Sequence, residues 1–130
     1  MKNIIPYLLL FLSFGTMAQQ KPQTESANFV ILVSNFEHLD AVMMAAQDEN
    51  RNGAFQVVLY GNEVNQITHS NMTKHLDFGQ KFKVNFSVCQ MSLDRSKIDR
   101  ETVPKEIEIV DNAFLYSFHL QKKGFKSLTL

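Results

Sequence analysis

The chain has 130 residues, 45% of them hydrophobic, with 13 basic residues balanced by 13 acidic ones and a single cysteine. That length makes one domain with enough apolar material for its own core, and the zero formal net charge lacks the basic footprint expected of a nucleic-acid binder. A lone cysteine excludes an internal disulfide, so the fold has to stand on its core.

Residues 1–18 read as a signal peptide. Lys2 gives a positive start, Ile4–Phe14 is an apolar run, and Thr16-Met17-Ala18 places small residues where a signal peptidase reads. Cleavage is expected after Ala18. The competing reading is a membrane anchor, but the run is shorter than the roughly 20 apolar residues a spanning helix needs. No cysteine lies near the cleavage point, which argues against a lipid-anchored form. Loss of Lys2 leaves 12 basic against 13 acidic residues, a net charge of −1. Gln19–Ala27, polar and containing Pro22, reads as a flexible leader (19–27) ahead of a single domain, 28–130. The expected location is periplasmic or secreted, with no stable membrane anchor after processing.

Phe29–Ser34 is a near-continuous, β-branched apolar run, as expected of a strand covered on both faces. Leu39–Arg51 reads as a helix, because Leu39, Val42, Met43 and Ala46 share one face, and Asn52-Gly53 would stop it. Phe55–Tyr60 is the second strand. Glu63–Ser70 and Met72–Lys81 read as one broken helix or two short ones, with Gly79 weakening the end of the second. Val84–Val88 alternates as the third strand and leads into Cys89. The charged segment Asp94–Glu106 contains Pro104, so a short helix to about Asp99 and then a solvated loop are expected. Ile107–Val110 is a fourth strand, Asp111-Asn112 a helix cap, and Ala113–Lys123 a last helix stopped at Gly124. Its apolar residues cover more than one face, which predicts burial on more than one side. Ser127–Leu130 is a fifth strand. The β-α alternation argues a three-layer α/β/α domain with a parallel sheet.

Cys89 is the candidate catalytic residue. Parallel sheets bind ligands outside the carboxyl ends of their strands, and the reactive thiolate is favoured at helix N-termini. A helix start near Ser92 would supply such groups through the backbone N–H of Gln90–Ser92, with Asn62 or Asn112 contributing from neighbouring strand ends. The other readings are a buried core thiol, which packs as a small hydrophobe, and pairing with another molecule. The histidines His38, His69, His75 and His119 lack metal-ligand spacing, so no metal is expected. Glu37-His38-x-Asp40 reads as a polar loop capping a helix. His119, between Phe118 and Leu120, suggests a hydrogen-bonded packing role, and His69 and His75 solvated helix faces. Met43-Met44 reads as packing, not as a cofactor box. No glycine-rich phosphate loop follows a strand and no G-x-S-x-G elbow occurs, which disfavours an NTPase, a nicotinamide dehydrogenase and a serine hydrolase. No cofactor is expected.

Taken together, FVILVSN, FQVVLYGNEV, the G-x-x-F-x-V of Gly79–Val84, FSVCQMSL and IEIVDNAFLYSFHLQKKGF resemble the DsrE/DsrF-like family of small sulfur-relay proteins over Asn28 to Leu130. The resemblance implies a five-stranded parallel sheet in the spatial order fourth, third, second, first, fifth. It also implies assembly into trimers or hexamers, and a cysteine at the position of Cys89 that carries sulfur as a persulfide. The expected export departs from the cytoplasmic members and puts their partners, and any role in tRNA thiolation, in doubt. Two functions follow as expectations: a persulfide carrier acting through Cys89, or a non-catalytic binding or assembly module that keeps the fold. The sulfur donor and acceptor are not named by the sequence.

Overall fold

The computed structural model describes residues 27–49 and 52–130. The expected signal peptide, 1–18, and residues 19–26 of the expected leader lie outside the described residues. Five strands form the sheet: β1 (Phe29–Val33), β2 (Phe55–Leu59), β3 (Val84–Cys89), β4 (Ile107–Val110) and β5 (Lys126–Thr129). All pair in parallel, in the order β4-β3-β2-β1-β5. This is the order that the family resemblance implies.

The connections follow from handedness. From β1 to β4 the chain steps across the sheet in one direction, so right-handed crossovers place their helices on one face. These helices are α1 (Leu39–Asp48), α2 (Ser70–Phe82) and α3 (Gln90–Arg95). The larger core lies beneath them, built from Ile31, Val33, Val57, Leu59, Phe86 and Val88 of the strands with Leu39, Val42, Leu76 and Leu93 of the helices. From β4 the chain turns back to β5 beside β1, which puts α4 (Ala113–Lys122) on the opposite face. There Val30, Leu32, Val58, Cys89 and Val110 pack with Ala113 and Leu120 in a smaller core. β1 feeds both cores by alternation, which explains its unbroken apolar run.

Three elements differ from expectation. The helix expected between Asp94 and Asp99 is α3, and it starts directly after Cys89. Leu93, fully buried, anchors it, because core burial outweighs the charge pattern that suggested a later start. It ends with Lys97 in the left-handed region (φ 55°) and a bond from Ile98 N–H to the Leu93 carbonyl at 2.9 Å, a Schellman closure. Of the two readings for residues 63–81, two short elements hold, but the first, residues 62–68, is a 3-10 helix ahead of α2. Gly79 does not weaken the end of α2, which runs on to Phe82. A Cβ at Gly79 would lie 2.8 Å from both Phe86 Cε2 and the Val84 carbonyl oxygen. The glycine is there so that α2 can lie close against β3. α1 ends at Asp48, and the Asn50-Arg51 part of the longer helix expected there lies outside the described residues.

Candidate functional site at the carboxyl ends of the strands

Cys89 is the last residue of β3, on the α4 face of the sheet, and 5% exposed. The return of the chain across this face brings the start of α4 against it. Ala113 N–H, the first of the helix, donates to Cys89 Sγ at 3.4 Å. Asn112 caps the same turn: its Oδ1 accepts from Phe114 N–H at 2.9 Å and Leu115 N–H at 3.2 Å. An α-helix leaves its first amides without internal partners. In α4 the asparagine takes two of them and the cysteine sulfur takes a third. The sequence placed the helix start that faces Cys89 in the segment after it; the donor is instead the next helix in the chain, Ala113 in place of Gln90–Ser92. Asp111-Asn112 was the available signal, but only the crossover brings it to β3.

Around Cys89 lies a cavity of about 540 Å³ across the carboxyl ends of four strands. Ser34, Tyr60, Cys89 and Asn112 reach it from the ends of β1 to β4, and Asn62 and Glu63 from the start of the 3-10 helix after β2. Met91, Ser92 and Arg95 come from α3, and Ala113 and Phe114 from α4. Gly61 sits at φ 85°, a conformation that side chains rarely adopt, and its N–H donates to Ser92 Oγ at 2.9 Å. That bond ties the loop to α3. Glu63 accepts from Phe36 N–H at 2.6 Å through Oε2. Tyr60 and Phe114 meet edge to face, centroids 5.3 Å apart. Arg95 forms no ion pair among the described residues. Two residues before Cys89, the Ser87 hydroxyl is buried without a hydrogen-bond partner among the described residues. Burial pushes the Tyr116 phenol up, and the Ser87 hydroxyl partly offsets this.

The other candidates lie elsewhere. His38 is exposed in the 3-10 turn Phe36–His38 after β1, and the residue that caps that turn is Asn35, accepting from Glu37 N–H at 3.0 Å. His69 is exposed at the start of α2. Two histidines depart from expectation. His119 is exposed, because α4 turns Ala113, Ser117 and Leu120 to the sheet and leaves 119 outside. His75 is buried between α1 and α2, with Asp40 Oδ1 at 3.7 Å from its Nε2. Met43 is core and Met44 is exposed. Among the described residues no cluster of His, Cys, Asp or Glu could hold a metal ion.

No family model and no curated protein sequence matches this chain. Solved structures do. MTH1491 from Methanobacterium thermoautotrophicum, a protein of unknown function, superposes with a TM-score of 0.70 at 15% identity, covering 80% of this chain and 99% of that one. The ychN protein from E. coli superposes with a TM-score of 0.57 at 16% identity, covering 79% and 99%. Both have the DsrE/DsrF-like fold. This chain has a DsrE-like fold as well. At such identities the likeness concerns the fold, and function has to be argued from the site.

Proposed function

We propose that the protein is an exported DsrE-like sulfur carrier in which Cys89 accepts sulfane sulfur and holds it as a persulfide. The observation that carries this reading is the position of the thiol. Cys89 lines a cavity at the carboxyl ends of the strands, where parallel sheets place their ligands, and its sulfur accepts an N–H from the first turn of α4. Export rests on the Lys2, Ile4–Phe14 and Ala18 pattern. Among the described residues no helix is long and apolar enough to cross a membrane.

One observation favours the second reading, a binding or assembly module. Cys89 is 95% buried by residue and helps to cap α4, a structural task that a thiol can perform without reacting. Incubation with polysulfide followed by mass spectrometry separates the two. A carrier gains the mass of one sulfur atom at Cys89, and Cys89→Ser gains none. No adduct, together with iodoacetamide labelling no faster than in a free cysteine peptide, leaves the module. Intact-mass measurement from the native host tests export: a chain starting near Gln19 is expected, and a full-length form beginning at Met1 would end that part of the proposal.

A further inference from the structure

Resting on the carrier reading, we infer that the donor which loads Cys89 is a small organic persulfide bearing a carboxylate, held by Arg95. Three observations converge. First, Cys89 is only 5% exposed yet lines the cavity, so a slender group can reach the sulfur where a thiol on a folded protein surface cannot. Second, the space of about 540 Å³ is in the range of small-molecule sites and exceeds what an inorganic sulfur anion fills. Its walls include Phe114 and Met91, about half exposed, which suit the body of an organic molecule. Third, Arg95 lines the cavity from the last turn of α3 without an ion pair among the described residues, whereas Glu63 already accepts from Phe36 N–H. A free guanidinium fork matches a carboxylate in bidentate fashion.

The transfer balances without an added oxidant. The Cys89 thiolate attacks the outer sulfur of the donor, R–S–S–H. A bond forms between Cys89 Sγ and that sulfur, and the donor's S–S bond breaks. The electron pair leaves on the inner sulfur, which takes the proton from the outer one and departs as the thiol R–SH. Cys89 remains as the persulfide anion. Arg95 holds the carboxylate of R throughout and has no part in the bond changes.

The test compares mercaptopropionate persulfide with the persulfide of its methyl ester, which has nearly the same body and no charge. Sulfur loading of the mature protein is followed by mass. The acid is expected to load at a half-saturating concentration about tenfold below that of the ester, the size of one charged contact of about 1.4 kcal/mol. Arg95→Gln should remove that preference. Arg95→Lys should recover part of it, and Arg100→Gln, outside the cavity, none of the loss. Equal loading of acid and ester by the wild type would overturn the proposal while leaving the carrier reading intact. A second measurement does not depend on sulfur transfer. Mercaptopropionate added to Cys89→Ser should shift the amide resonances of Ser92 and Ala113, and Arg95→Gln in that background should abolish the shifts. Binding there without any loading of the wild type by polysulfide would support the anion site and remove the carrier. Absence of binding would overturn the site.

Discussion

At the residue scale the start of α4 is the most informative place, because one turn both closes a helix and faces the thiol. Asn112 satisfies Phe114 and Leu115, and Cys89 satisfies Ala113. Asn112→Ala is expected to cost about 1 kcal/mol of stability through the lost cap. It should also change the rate at which iodoacetamide labels Cys89, since the amide that faces the sulfur moves with that turn; urea unfolding and labelling kinetics read the two effects. His75 supplies a second prediction. Burial pushes its imidazole below the ordinary value of 6.5, the Asp40 carboxylate opposes this, and Lys74 adds to it. As pH falls, the unfolded chain therefore binds the proton first. The stability from burying neutral His75 is present above about 6.5 and declines as pH drops toward the lower folded value, below which it levels off. The urea midpoint should fall between about pH 7.5 and about pH 5. His75→Gln should fall less over the same interval, and an equal fall would show that His75 contributes nothing to the pH dependence. The exposed Lys74–Asp40 pair at 3.1 Å adds little of its own.

At the scale of elements, packing overrides local preference at two points. Gly79 lies inside α2, where alanine would gain roughly 1 kcal/mol of helix propensity. A Cβ there, however, would lie 2.8 Å from the Phe86 ring and the Val84 carbonyl, pushing α2 off β3. Gly79→Ala is expected to destabilise the domain by about 1–3 kcal/mol, the usual cost of overpacking, and urea unfolding checks it. A neutral or stabilising result would mean that α2 shifts without loss. The second point is α3, a helix of six residues that cannot be stable alone. Burial of Ser92 and Leu93 and the Gly61–Ser92 hydrogen bond hold it, and through it they hold Met91 and Arg95 at the cavity.

For the whole molecule, the two faces of the sheet are unequal. Among the described residues, α1, α2 and α3 cover one, and α4 is the helix on the other. The outer side of α4 leaves Leu115 and Phe118 about half exposed, large apolar residues that isolated soluble domains seldom keep bare side by side. We propose that this side meets other copies of the chain, in the trimers or hexamers that the family resemblance implies. Light scattering of the mature domain should give a mass above that of the monomer. Phe118→Glu, outside the cavity, should reduce it to the monomer without unfolding the domain. A wild-type monomer at tens of micromolar would remove the assembly and leave the fold.

The sequence by itself determined the alternation of strands and helices, the apolar run of β1 that marks a sheet covered twice, the Asn112 cap and the strand end that carries Cys89. These are local properties: side-chain periodicity, β-branching and capping chemistry act within a few residues and can be read from them. Only the tertiary structure decided which helix start faces the thiol, where α3 begins, why Gly79 is a glycine, and that His75 lies inside while His119 lies outside. Each of these depends on a partner distant in the chain. Cys89 meets Ala113 24 residues later because a right-handed return from β4 to β5 must lay α4 over that face. No window of sequence contains both the donor and the sulfur together with the sheet that brings them into contact.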